Sequence, residues 1–137
     1  MRNGAACAVR AREPCVVLLI DTANVVGSRP TGWWRDRATA TRRLAERVRA
    51  ATAASRLPEP VVMVLEGTAR RGVEEGVADG VTVVHAPGDG DDTLASLAAT
   101  ADAPVVLVSA DRGLRARVRG SGAEVVAPSW LLDRLGG

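Results

Sequence analysis

The sequence predicts an α/β fold, a three-layer α/β/α domain whose mainly parallel sheet has about five strands. Short β-branched apolar runs without polar alternation recur along the chain, as strands buried on both faces require. Segments with helical spacing separate these runs, which places helices on both sides of the sheet. Three of the runs also stop at an acidic residue: Cys15-Val-Val-Leu-Leu-Ile-Asp21, Val61-Val-Met-Val-Leu-Glu66 and Val105-Val-Leu-Val-Ser-Ala-Asp111.

Each element follows from its residues. Residues 1–14 are rich in Arg and Ala without periodicity and are expected to form a disordered extension, leaving residues 15–137 as a single domain. After the first strand, Val26-Gly-Ser-Arg-Pro-Thr-Gly32 reads as a loop. A helix is expected over about residues 34–54, where Ala40, Leu44, Val48 and Ala51 share one face and Arg42, Arg43, Arg47 and Arg49 lie elsewhere. Pro58 and Pro60 separate that helix from the second strand. The stretch from Gly67 to Gly80 carries four glycines and is expected to be a loop or a short helix. Val81-Thr-Val-Val-His85 is a further strand. A helix over residues 91–100 would bury Leu94, Leu97 and Ala98, and another over residues 111–119 would bury Leu114 and Val118 and end at Gly120. Glu124-Val-Val-Ala127 is the last strand, and Ser129 is expected to cap a final helix, Trp130-Leu-Leu-Asp-Arg-Leu135.

Composition narrows the function. A length of 137 residues with 47% apolar content suits one domain with a full core. The core must be aliphatic, since there is no Phe or Tyr and only three Trp. All eighteen basic residues are Arg, so mechanisms that need a Lys are excluded; a GC-rich coding sequence is the ordinary cause of such usage. Cys7 and Cys15 make neither a disulfide framework nor a zinc site, which fits a reducing cytoplasm. Neither an apolar leader nor a membrane-length apolar run is present, so no membrane association is expected. The net charge of +2 is too small for a general polyanion binder.

The acidic strand ends carry the chemistry. Ligands of open α/β sheets bind outside the carboxyl ends of the strands, where Asp21, Glu66 and Asp111 converge if their strands are neighbours. Asp89-Gly-Asp-Asp92 follows another strand and reaches the same edge. Carboxylates so gathered repel one another unless some are protonated or a cation lies among them, so a divalent-metal site is expected. Hard oxygen ligands without a Cys/His cluster favour Mg²⁺ or Mn²⁺ over zinc. Such a site suits attack of water on phosphorus, which needs no His or Lys base when a metal is present.

The motifs Ile20-Asp-Thr-Ala-Asn24, Val64-Leu-Glu-Gly67, Gly90-Asp-Asp-Thr-Leu94 and Val108-Ser-Ala-Asp-Arg-Gly113 resemble, in order and position, the four acidic motifs of the PIN-like nuclease superfamily, particularly its NYN branch. The resemblance spans about residues 15–135. It implies a sheet ordered 3-2-1-4-5, binding of Mg²⁺ or Mn²⁺, and phosphodiester hydrolysis, most often of RNA. By position, Asp21, Asp91 and Asp111 match the metal-holding Asp residues and Asn24 matches the Asn after the first of them, with Ser109 in the usual Ser/Thr place. Glu66 stands where many relatives carry Asp, a departure that keeps the charge on a longer arm.

On this reading Asp21, Asp91 and Asp111 are catalytic metal ligands, and Glu66 and Asp92 act directly or through water. Asn24 and Ser109 orient the carboxylates or waters. Arg112, Arg70, Arg71 and Arg29 are candidate phosphate contacts, and Trp33 and Trp34 could stack an unpaired base. Each has a structural competitor. Asp91 and Asp111 are natural helix caps, Asp89 a turn residue, His85 a strand end, the Trp pair a cover for the sheet edge, and exposed Arg a solvated face. A nucleoside-triphosphate pyrophosphohydrolase would use the same carboxylates, and a non-catalytic RNA-binding module is a third reading. Without a strong basic tract, activity is expected to depend on a protein partner that presents the substrate; a homodimer is left open. Dinucleotide-binding, P-loop, haloacid-dehalogenase-like and receiver-domain readings each lack a required residue.

Overall fold

The computed structural model describes residues 16–28 and 35–136. The expected disordered extension, together with Arg29, Trp33 and Trp34, lies outside the described residues. Along the chain run β1 (Val17–Asp21), α1 (Thr22–Gly27), α2 (Arg37–Ala53), β2 (Val61–Leu65), a 3-10 turn (Gly67–Gly72), β3 (Gly76–Ala78), β4 (Val81–His85), α3 (Gly90–Thr100), β5 (Val105–Val108), α4 (Arg112–Arg119), β6 (Glu124–Val126) and α5 (Pro128–Arg134).

The sheet orders these strands β3-β4-β2-β1-β5-β6. All neighbours are parallel except β3, which pairs antiparallel with β4. Six strands in a mixed sheet replace the five expected, and the expected order 3-2-1-4-5 is corrected accordingly. The difference comes from β3, three exposed residues that double back through a tight turn at Asp79 and Gly80, both with positive φ. So short a strand without a buried face leaves no periodic signal.

Alternation along each strand explains the unbroken apolar runs. Leu18 and Ile20, with Val61, Met63, Leu65 and Val108, pack on one side against Leu44, Ala45, Val48 and Ala51 of α2, Val25 of α1 and Leu131 of α5. Leu19, Val64, Val105 and Leu107 pack on the other side against Leu94 and Ala98 of α3 and Leu114 and Val118 of α4. Successive side chains point to opposite faces, so a strand covered on both must be apolar throughout.

Several local expectations are corrected. α1 replaces the start of the expected loop; Asp21 caps it, although the Asn24 amide lies 3.4 Å from Asp21 Oδ1. α3 begins one residue earlier than expected and is capped by Asp89, whose Oδ1 accepts from the Asp91 amide at 2.9 Å. α5 begins at Pro128 with Ala127 at the cap position, so Ser129 caps nothing; a Pro in the first helical turn already supplies the favourable φ and removes one orphan N–H. Gly72 ends the 3-10 turn against the backbone of Ala38 in α2, where an added Cβ would collide with the Ala38 carbonyl. No helix among the described residues is long and apolar enough to cross a membrane.

Candidate functional site

β1 sits in the middle of the parallel strands. The chain leaves it towards β2 on one side and later returns to β5 on the other, so the strand order reverses between β1 and β5. A crevice at the carboxyl end of such a switch point is where α/β sheets bind ligands. Asp21 is the last residue of β1, and Ser109, Ala110 and Asp111 lead from β5 into α4.

Hydrogen bonds stitch the two strand ends together across this crevice. Ser109 Oγ donates to Asp21 Oδ2 at 2.8 Å and accepts the Asp111 amide at 3.1 Å. A single buried hydroxyl therefore links the Asp21 carboxylate to the backbone that carries Asp111. Asn24 Oδ1 accepts the Ala110 amide at 2.8 Å, tying α1 to the same turn. Asp111 caps α4, its Oδ1 accepting the Leu114 amide at 2.9 Å. The capping role weighed as the competitor is thus realised, and among the described residues the second carboxylate oxygen of Asp111 accepts no hydrogen bond.

Glu66 joins from β2. Its Oε1 accepts the Gly90 amide at 2.7 Å, so this carboxylate holds the N-terminus of α3. Gly90 has no side chain because the Glu66 carboxylate occupies the space a Cβ would fill. Sequence reasoning weighed Asp89 as a turn residue and gave Gly90 no role of its own; the close approach of Glu66, 24 positions away, left no local signal.

The electrostatics bind these residues into one neighbourhood. Asp21 is 7% exposed, and burial lifts its pKa from 3.8 to about 6, with the charges of Asp91 and Glu66 pushing the same way and bonds from Ser109 and Asn24 pulling against it. Asp91 is raised too, by burial and by the charges of Asp111, Asp89 and Glu66, with Arg117 opposing. The charges of Glu66 and Asp91 therefore bear on Asp21, and those of Glu66 and Asp111 on Asp91, and among the described residues none of these four carboxylates is in a salt bridge. Asp92 differs: it pairs with Arg117 of α4 at 3.1 Å.

Among the described residues no three Asp, Glu, His or Cys side chains stand close enough to hold an ion together as they are. The oxygens of Glu66, Asp111 and Asp21 are turned to the Gly90 and Leu114 amides and to Ser109 instead. The donor set itself suits a hard dication: carboxylate oxygens, one of them buried, with surplus negative charge and no cationic partner.

Of the phosphate-contact candidates, Arg112 is exposed in the first turn of α4, beside Asp111. Arg70 and Arg71 lie at the end of the 3-10 turn beyond Glu66.

In overall fold the chain is similar to Rae1 (YacP) from Bacillus subtilis. A tryptophan-to-leucine mutant of that protein matches with a TM-score of 0.63 at 18% identity, over 87% of this chain and 74% of that one. A second Rae1 structure matches with a TM-score of 0.61 at 18% identity, over 87% and 72% of the two chains. Identity this low makes the likeness one of fold. No protein-family model matches the chain, and no curated protein does.

Proposed function

We propose that this chain is a metal-dependent phosphodiester hydrolase of the PIN/NYN kind, acting on RNA with Mg²⁺ or Mn²⁺. The observation that carries this reading is the set of mutually repelling carboxylates at the β1/β5 switch point, Asp21, Glu66, Asp91 and Asp111, with no cation paired to them among the described residues. Asp21, Asp91 and Asp111 would hold the ion, and Glu66 and Asp92 would support it directly or through water. When bound, the ion would neutralise charge on the scissile phosphate and acidify the attacking water.

The chain's own groups prepare this chemistry. Ser109 and Asn24 fix the two strand ends relative to each other, so the Asp21 carboxylate and the Asp111 backbone are held at one turn. Burial of Asp21 strengthens any electrostatic interaction it makes with a cation. The exposed guanidinium of Arg112, beside Asp111, would contact substrate phosphate.

The test is incubation of purified protein with RNA, DNA and nucleotide substrates in Mn²⁺ or Mg²⁺, beside Asp21→Asn/Asp111→Asn as control. RNA cleavage that needs the metal and is lost in the control supports the reading. Hydrolysis of nucleotides alone would move the assignment to a pyrophosphohydrolase, and metal-independent RNA binding without turnover would leave only a binding module.

A further inference from the structure

A second chemical feature lies on the same sheet edge, over β2 and β4 instead of β1 and β5. Gly67, Thr68, Arg70, Arg71 and His85 line a depression of about 500 Å³. The 3-10 turn starts immediately after Glu66, and His85 is the last residue of β4, in register with Leu65 of β2. β4 is two strands from β1, or on the order of 10 Å at ordinary strand spacing.

The arginines there are prepared for an anion. Arg70 Nε donates to the Gly67 carbonyl at 3.1 Å and one terminal nitrogen lies 3.4 Å from the Ala86 carbonyl, so its guanidinium is oriented by backbone and not by a carboxylate. Among the described residues neither Arg70 nor Arg71 is in a salt bridge, although eighteen Arg and sixteen acidic residues share the chain. Glu75 Oε2 accepts the His85 amide at 2.7 Å. His85 Nε2 donates to the Val73 carbonyl at 2.7 Å, which fixes the imidazole at the rim of the depression, where Nδ1 donates to an anion only when the ring carries both protons. Docking of Gly72 on the backbone of Ala38 holds the turn from behind.

An acidic centre and a basic depression about two strands apart on one edge match a strand of nucleic acid better than a free nucleotide. We propose that Thr68, Arg70 and Arg71, with His85 at the rim, form a subsite for a backbone phosphate of the nucleotide flanking the scissile bond. The substrate is then a single-stranded RNA laid across the carboxyl edge of the sheet from β1/β5 towards β4. The placement rests on the hydrolase reading, but the subsite itself is a binding feature and is testable without turnover.

The experiment measures binding of a fluorescent single-stranded oligoribonucleotide to the full chain in EDTA across a salt series, and cleavage of the same oligonucleotide in Mn²⁺. For Arg70→Ala/Arg71→Ala the expected result is binding weakened by about tenfold or more and a salt slope shallower by roughly 0.7 for the one phosphate lost. In cleavage, KM rises with kcat little changed. Arg70→Lys/Arg71→Lys should recover part of the affinity, since it keeps charge but not the fork, and Arg119→Ala on α4 should match wild type. A thermal melt checks that each variant folds. Unchanged affinity and salt slope in the double Ala variant, or no binding by the wild type, overturns the subsite. If that variant cleaves normally, the hydrolase reading stands alone; if binding drops as expected but the wild type never cleaves, the subsite stands and the hydrolase reading falls.

Discussion

Asp21 is held in a position its charge opposes. Its carboxyl titrates near 6 in the folded chain against 3.8 ordinarily, so the folded state keeps the proton where the unfolded state releases it. The unfolded state therefore binds fewer protons between those values, and stability falls as pH rises from about 4 through 6. Above that range the ionised Asp21 costs on the order of 3 kcal/mol in the metal-free protein. Asp21→Asn keeps an acceptor for Ser109 and removes the charge. It should raise the metal-free melting midpoint at pH 7.5 by several degrees and flatten the loss between pH 4 and 6, while abolishing cleavage; melts across pH and an RNA assay check this. Ser109→Ala removes the hydroxyl that joins Asp21 to the Asp111 backbone and should destabilise by about 1–2 kcal/mol in chemical denaturation. At this scale the sequence was informative where an acid ended an apolar run, as at Asp21, because an unbroken run must be buried to its end. It was silent where a residue matters through what it lacks, as at Gly90.

Among the elements, the start of α3 separates structure from chemistry within three residues. Asp89 supplies the cap, Gly90 yields its amide to Glu66, and Asp91 keeps its carboxylate among the other acids. Asp89→Ala should therefore cost about 1 kcal/mol of stability and largely keep cleavage. Asp91→Asn should do the reverse, with denaturation and turnover measured on the same samples. Gly90→Ala would push the Glu66 carboxylate aside and is expected to lower both. The sequence placed the cap at Asp91 because helical periodicity resolves boundaries only to a residue or two, and the carboxylate that holds the Gly90 amide arrives from another strand. α1 was missed because Thr22–Gly27 is too short for a periodic pattern, whereas the 17 residues of α2 announced themselves through Ala40, Leu44, Val48 and Ala51.

The molecule as a whole places its acids where strand order turns back. The apolar strands, the helices on both faces and the site's location at the carboxyl edge were legible, because burial on two sides imposes a composition that parallel topology then orients. The antiparallel edge strand and the depression beside it were not, since both depend on tertiary contacts made by residues 67–80, most of them exposed, and by His85. A cation that binds the folded chain stabilises it by mass action. Millimolar Mn²⁺ or Mg²⁺ is therefore expected to raise the wild-type melting midpoint and to leave Asp21→Asn/Asp111→Asn unmoved, with EDTA reversing the gain. Equal shifts in both proteins would point to nonspecific ion effects and count against the site.

The meeting of Gly72 with the Ala38 carbonyl has an evolutionary reading. Arg70 and Arg71 ride on a backbone that α2 pins from beneath, so the place of both guanidinium groups depends on an atom outside the depression they line. Any lineage that trades this glycine for a bulkier residue must lift the turn off the helix, and the depression would change shape even while every charged group stayed intact.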